Sequence, residues 1–534
     1  MRRENTAVVF LAGIVLLTAL AGCNKGASVS SSSSSDSGAG EKAYAEISVE
    51  VFDRGTGVDA TQNNWTDWIQ KNLLEDENIK ITFVSVPRND EIPALNNLMA
   101  AGNAPDICFT YNTELINNFR DLGGLYDMAP RVEALMPDLK AFLGPDPMLE
   151  GQSLIYRNQD KTTKKMYYFP ARRIFQGRYG TFIRKDWLDK LGLPLPSTMQ
   201  EFYDALTAFK NQDPGGVGKE KVIPYVSSKN IVIRAANLVE SFIDRDLSDK
   251  DRWINTVADR SFLLPGYKEG VRMLNKMYNE GLLFRDFPLH ATDTIIDDLA
   301  RSGVVGAWSG NYDAPYRGNP SILQDCQTNM PGAEIVPVDP FTDSSGKVTK
   351  YSYDAAGMYI FIPAASKYPE AAMRYLNWMA KYDNRIFLQI GPEGVTHELV
   401  NGIPKAIAVP TGSLWTQFGP QNIDYVIISN GLELDTPEKT VLGLANSYTV
   451  DPQLIILADQ VAMKNARPMP VIPVTLTAAG PYVKTLQDKG DVLMAEAITC
   501  PPQQFDRVWD AGMADWLASG GQAILDERKA KYIE

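Results

Sequence analysis

The sequence predicts an α/β protein, and three observations carry that prediction. Residues 46–110 alternate strand and helix signals, a second alternation of the same kind begins near Tyr167, and the final hundred residues read mostly as helix. Of the 534 residues, 44% are hydrophobic and 22% charged, enough apolar material for sizeable cores, so disorder is excluded for most of the chain. A prior of roughly one domain per 150 residues gives three or four units, or equally two large lobes.

The elements follow in order. Residues 46–52 alternate polar and apolar before turning apolar, as a strand does. Residues 53–60 form a Gly-containing loop, and Asn63 or Asn64 can cap a helix to about Glu77 with Trp68, Ile69 and Leu73 inward. A strand at 79–86, a helix at 92–101 closed by Gly102 and a strand at 105–110 complete a parallel-sheet signature. In the second region, 179–184 is a strand, 185–191 a short helix closed by Gly192, and Pro196-Ser197-Thr198 precedes a helix through Lys210. The helix at 266–280 sets Tyr267, Val271, Leu274 and Tyr278 on one stripe. Residues 303–308, 334–338 and 356–362 are strands. Pro369 and Glu370 open a helix with Ala372, Tyr375, Leu376 and Met379 on one face. Phe505, Val508, Trp509, Gly512 and Trp516 form a last stripe, and no internal repeat is evident.

Composition excludes several functions. A net charge of -13, from 52 basic and 65 acidic residues without a long basic run, argues against nucleic acid as a partner. Only two His, His290 and His397, are present, which leaves His-rich metal sites and His-based triads without ligands. Cys23, Cys108, Cys326 and Cys500 form no C-x-x-C pair. Residues 55–60 match the loose pattern G-x-G-x-x-[GA] after a strand. Four residues, however, separate the motif from its helix, and Asp59 adds like charge, so it reads as a loop. Residues 215–219 hint at a phosphate loop but lack its first Gly and its final Ser/Thr, and read as a Gly-rich turn. Acid pairs such as Glu433 with Asp435, or Asp297 with Asp298, are inevitable among 65 acids. No cofactor, metal or catalytic constellation is expected, and the chain reads as a binding protein rather than an enzyme.

The N-terminus reads as a targeting signal. Arg2 and Arg3 precede an apolar stretch at 7–21 that is short for a membrane span of ~20 residues, as a secretory signal is. It ends in Leu20-Ala21-Gly22-Cys23, which resembles the lipobox of bacterial lipoproteins. That resemblance implies removal of 1–22 and lipid attachment at Cys23, placing the protein on the extracytoplasmic face of the cell membrane. Two acyl chains anchor stably where one barely holds, at ~0.8 kcal/mol per buried CH₂. Residues 23–44, with the serine run 30–35, form a flexible tether. Removing Arg2, Arg3 and Glu4 takes a net +1 from the -13, to about -14. The three Cys left are an odd number, which argues against a disulfide framework.

Four further stretches resemble extracellular solute-binding protein family 1, the sugar-capturing lipoproteins of ATP-binding-cassette importers. They are 97–107, ending in Pro105-Asp106-Ile107; Tyr168-Phe169-Pro170 followed by 179–193 and 196–202; 303–308; and 369–378. The resemblance implies a two-lobed periplasmic-binding-protein-like fold of type II, with a ligand cleft between the lobes and a helical C-terminal part. It assigns lobe one to 45–170 and 337–365, lobe two to 171–336 and 366–534, and three chain crossings to the hinge. It also implies a monomeric receptor that closes on an oligosaccharide and delivers it to the permease subunits of the transporter. Two alternatives stay open. A secreted carbohydrate-active enzyme would need two cleft carboxylates at glycosidase spacing, and a peptide receptor would need a fixed countercharge.

In parallel α/β lobes ligands sit beyond the carboxyl ends of strands, and that rule selects loops. It points to Asp53, Arg54 and Trp65 after the first strand, and to Tyr111 and Asn112 after the third. At the hinge it points to Arg172 and Arg173, and after the strand at 303–308 to Trp308, Asn311 and Tyr312; Trp415 joins them as an aromatic candidate. Aromatic rings cover the apolar faces of sugars, while Asp, Asn and Arg pair with hydroxyls. Trp308 is expected to stack on sugar, whereas Trp68, Trp378, Trp509 and Trp516 are expected in cores. Arg172 and Arg173 either bridge the lobes or face the ligand, where their forks would favour acidic sugars.

Overall fold

The computed structural model describes residues 42–55, 59–146, 149–341, 350–407, 415, 424–472 and 474–532. The apolar stretch at 7–21 expected to be a signal, Cys23 and the serine run lie outside the described residues.

Strand β1 (Ala45–Asp53) pairs in parallel with β2 (Ile79–Pro87), Ala45 opposite Ile79 and Asp53 opposite Pro87. The helix between them, Asn64–Glu77, starts in a capping box. The Asn63 side chain accepts from the Trp65 and Thr66 backbone N–H groups, and the Thr66 hydroxyl accepts from the Asn63 N–H at 2.8 Å. Strand β3 (Cys108–Thr110) joins β1 through a parallel bridge, with the Glu50 N–H donating to the Ile107 carbonyl at 2.9 Å. Then come β4 (Tyr168–Arg173), β5 (Tyr179–Arg184), β6 (Ile223–Val226), β7 (Val305–Asn311) and β8 (Ile335–Val338). The series continues with β9 (Lys350–Ser352), β10 (Ala356–Phe361), β11 (Ser429–Asn430) and β12 (Ala466–Pro468).

Two sheets organise the lobes, ordered β11-β4-β10-β3 and β8-β5-β7-β6. Each contains one strand that opposes its neighbours, β10 in the first and β5 in the second. Both odd strands come directly after the chain has crossed between lobes, so they run away from the junction while their neighbours run toward it. The crossings run through 174–178, the described residues 339–341 and 350–355, and 431–436, and backbone hydrogen bonds at their ends join them. Arg173 N–H donates to Ala355 O at 2.7 Å, Ile174 N–H to Asn430 O at 2.9 Å, and Tyr353 N–H to Gln176 O at 2.9 Å. Buried side chains tie the second crossing down at both ends. Arg157 reaches Asp354 and holds Asp146 through Nε at 2.6 Å. Lys350 Nζ holds Asp339 at 2.7 Å and the Val461 carbonyl at 2.6 Å.

Two glycines permit this junction. Gly431 adopts φ 114°, closed to L side chains, and a Cβ at Gly177 would meet Asp459 Oδ1 at 2.8 Å and the Tyr312 ring at 3.2 Å. Burial pushes the Asp459 carboxyl up to about 6, against the Gly177 backbone hydrogen bond that lowers it.

The first core joins Val49, Ile69 and Leu73 to the helix Pro369–Ala380, whose Ala372, Tyr375, Leu376 and Met379 are all buried as their stripe predicts. Trp378 donates its Nε1–H to Asp76 at 2.7 Å and stacks on Tyr375. The expectation that 366–534 would lie wholly in the second lobe is therefore corrected. Residues 369–380 and 425–428 pack on the first sheet, and only past the third crossing do helices such as Pro452–Met463 and Phe505–Trp516 pack on the second. An amphipathic stripe states that a helix is buried, not which sheet it covers.

The second sheet is covered on both faces. On one, Trp187, Phe209 and Tyr225 meet Leu493, Trp509 and Trp516. On the other, Phe182 and Tyr316 meet Ile455 and Ala458, and here Trp308 packs, 1% exposed, its ring 5.8 Å from that of Phe182. Trp308 is thus a core residue and the expectation of a sugar platform fails. Along β7 side chains alternate between faces, and position 308 falls on the one that Ile455 and Ala458 cover.

Trp308→Ala is expected to lose about 3 to 5 kcal/mol of stability in chemical denaturation, as is Trp378→Ala. A Trp308→Ala variant that unfolds like the wild type would contradict its placement. Asp459 has a folded-state affinity for protons above its unfolded one. Its contribution is therefore greatest below the unfolded value near 3.8 and is lost as pH rises through about 6. Asp459→Asn should match the wild type at low pH and exceed it by roughly 2 to 3 kcal/mol above pH 7, read from denaturant midpoints across pH.

Candidate functional site

Strand direction decides which residues face the junction. The carboxyl ends of β1, β3, β4 and β7 point to it, and so do the amino ends of the opposed strands β5 and β10. Opposite the crossings, the helix Thr113–Asp121 that follows β3 touches the second lobe, where the Thr475 hydroxyl donates to Asp121 Oδ2 at 2.5 Å. Glu114 on that helix is raised by burial and feels Arg528 and Asp259 across the gap. Crossings on one side and this contact on the other bound an interlobe cleft.

On the first lobe, strand ends collect Arg54, Arg88 and Tyr111. The Arg88 guanidinium lies 5.0 Å from the centroids of both Phe52 and Tyr111 and is paired with Glu91 at 2.7 Å. Arg54 is clasped by the buried Asp424, Nε to both carboxylate oxygens at 2.9 Å. Burial raises the Tyr111 phenol, with Arg173, Arg88 and Arg54 opposing. At the crossings, Arg173 covers the Tyr353 ring at 4.2 Å and Arg178 the Tyr179 ring at 4.5 Å. Arg252 donates to the Tyr351 hydroxyl at 2.9 Å. Burial raises the Glu240 carboxyl, which Arg178 and Arg252 pull back down. Tyrosine faces alternating with guanidinium forks can cover the C–H faces of a sugar and pair with its rim.

The residues expected from sequence divide. Tyr111 and Arg173 lie at strand ends on the junction side, and Arg54 stands near Tyr111, already paired with Asp424. Asp53 is exposed at the end of β1, its carboxylate accepting from the Gly55 N–H at 2.8 Å. Asn112 caps the next helix, accepting from the Leu115 N–H at 2.7 Å. Arg172 turns from the ligand side to bind Glu433 at 3.1 Å and the Phe142 carbonyl at 2.7 Å. Asn311 is half-buried opposite Tyr179 in the ladder. Trp65 is a correction: it is fully buried, parallel to Tyr425 and edge-on to Trp415 at 4.8 Å, because the first turn of its helix faces the sheet. Trp415 is the half-buried rim of that aromatic cluster. Tyr312 is 4% exposed and packs with Trp308 in the second lobe. Of the acid pairs, Glu433 is engaged by Arg172 and Asp435 by Lys439 at 2.8 Å.

Sequence reasoning missed Arg88, Arg178, Tyr179, Glu240 and Tyr353. Arg88 follows the last residue of β2, so the strand-end rule could have found it. Arg178 and Tyr179 begin a strand, and the rule excludes strand beginnings unless the strand is known to be opposed.

Comparison with known proteins agrees with this architecture. The description "bacterial extracellular solute-binding protein" matches residues 61–250. The polygalacturonan/rhamnogalacturonan-binding protein YtcQ of Bacillus subtilis is 25% identical over 301 residues, 56% of each chain. The fructooligosaccharide ABC transporter substrate-binding protein FusA of Streptococcus pneumoniae is 25% identical over 282 residues, 50% of this chain and 47% of FusA. The chain thus spans about half the length of the curated relatives it matches. Solved structures share the fold more widely. FusA in complex with kestose superposes with TM-score 0.60 at 16% identity, over 91% of this chain and 98% of that one. A human-milk-oligosaccharide (HMO) binding solute-binding protein from Bifidobacterium longum infantis superposes with TM-score 0.59 at 17% identity, over 91% and 98%. Residues 61–250 are thus similar to the bacterial extracellular solute-binding proteins, and the chain shares the fold of such proteins across nine-tenths of its length.

Proposed function

We propose that this protein is a non-enzymatic receptor that captures an oligosaccharide between its lobes and delivers it to the permease of an ATP-binding-cassette importer. The observation that carries the reading is the cleft itself, where tyrosine rings and arginine forks gather beside three hydrogen-bonded crossings. Rings and forks of this kind suit the apolar faces and polar rims of sugars. Two lobes joined by three short segments close by hinge rotation, which withdraws a ligand from water. The names of YtcQ and FusA support a sugar as ligand. A lipid on Cys23 would hold the receptor at the outer face of the membrane, with residues 24–44 as tether. Among the described residues no helix is long and apolar enough to cross a membrane.

Thermal shift and titration against an oligosaccharide panel test the central claim. The best ligand at a hundredfold excess over Kd should stabilise the protein by ~2.7 kcal/mol and come back chemically intact. Small-angle scattering should show a smaller radius of gyration with ligand. Stabilisation by no sugar, or cleavage above that of a denatured control, would reject the receptor. For the anchor, wild type should partition into detergent and Cys23→Ser should not. Mature wild type found in the medium with its N-terminus elsewhere than Cys23 would reject lipidation.

A further inference from the structure

The arginines of the cleft fall into two groups. Arg54 and Arg88 spend their charge on Asp424 and Glu91. Arg173, Arg178 and Arg252 do not, since among the described residues none of the three has a carboxylate within ion-pair distance. Arg252 is 4% exposed and donates to oxygens without formal charge, the Tyr351 hydroxyl and the carbonyls of Asp244, Arg245 and Leu247. Arg173 and Arg178 lie over tyrosine rings, a contact that takes the face of the guanidinium. The Nε–H of Arg173 is buried without a hydrogen-bond partner. The one acid facing Arg178 and Arg252 is Glu240, whose Oε2 is likewise buried without a partner. Burial raises the Glu240 carboxyl and so weakens it as a countercharge.

Three guanidiniums therefore stand against one carboxyl in a partly desolvated junction. Buried charge is costly unless paired, and an anionic ligand at the junction would pair it. A sugar hydroxyl would fill a donor but leave the charge. A carboxylate fills both, because its two oxygens match the guanidinium fork.

We propose that the cleft selects oligosaccharides carrying carboxylate groups, uronic-acid units, and that Arg173 and Arg178 are the residues that read the carboxylate. This rests on the receptor reading above and names the ligand class of the same site. The tyrosines set the second requirement. Tyr353 and Tyr179 lie under the two arginines, so a sugar whose carboxylate meets a fork brings its ring within reach of an aromatic face.

The test is calorimetric titration of the full chain with three probes: tetragalacturonate, its methyl ester and a neutral fructo-oligosaccharide. The acid should bind at least about tenfold tighter than its ester, since a charged fork contact is roughly twice as strong as a neutral one. Its affinity should fall between ~0.01 M and ~0.1 M salt, as the screening length drops from ~30 to ~10 Å, while that of the ester holds. Arg173→Gln and Arg178→Gln should each cut the preference for acid over ester to about threefold or less, the acid losing more affinity than the ester. Arg173→Lys, which keeps the charge but not the fork, should fall between. A purely structural role for these arginines would instead lower both affinities together and leave the ratio unchanged, and that result overturns the proposal. So does equal binding of acid and ester by the wild type. Tight binding of the neutral sugar alone overturns the acid preference and leaves the receptor standing, whereas binding of none of the three in this or any wider panel removes the receptor reading with it.

Discussion

Backbone hydrogen bonds among three crossing segments hold this structure together at its narrowest point. Where the crossings run side by side, their N–H and carbonyl groups find partners in one another. Arg173, Ile174 and Tyr353 supply the donors, and Ala355, Asn430 and Gln176 the acceptors. The side-chain anchors lie just outside, Arg157 on Asp146 and Asp354 toward one lobe and Lys350 on Asp339 toward the other. Rigid anchors beside short unladdered segments concentrate bending in a few dihedrals, as hinge motion requires.

The same constraint sets the shape of the binding surface. A chain that enters a lobe from the junction must begin its strand there, which opposes β5 and β10 to their neighbours. The junction thus receives strand beginnings as well as strand ends. Arg178 and Tyr179 arrive by the first route, Tyr111 and Arg173 by the second. Neither lobe holds the whole set, so the surface depends on both sheets meeting.

Electrostatics separates framework from site within one residue type. Arg54, Arg157 and Arg172 are neutralised by acids brought from distant parts of the chain and Arg88 by its near neighbour Glu91, and their positions follow from those pairs. Arg173, next in sequence to Arg172, lies over the Tyr353 ring with its Nε–H unpartnered. Alternation along β4 explains the split: successive side chains leave opposite faces, so one arginine reaches the third crossing while the other reaches the cleft.

The sequence by itself determined the local elements. The capping box at Asn63, the stripe of 369–380 and the strand beginning at Tyr179 all rest on short-range physics, hydrogen bonds and side-chain periodicity within a few residues, and appear where that physics puts them. Only the tertiary structure decided which aromatic residues face ligand and which face core. Trp65 and Trp308 satisfy the strand-end rule as well as Tyr111 does, yet both are buried, because the face a side chain leaves from depends on which sheet edge and which covering helix it meets. It likewise decided which helices cover which lobe, and which arginines are left without an acid. Burial and pairing are sums over contacts hundreds of residues apart, such as Arg54 with Asp424, and no window of sequence contains both partners.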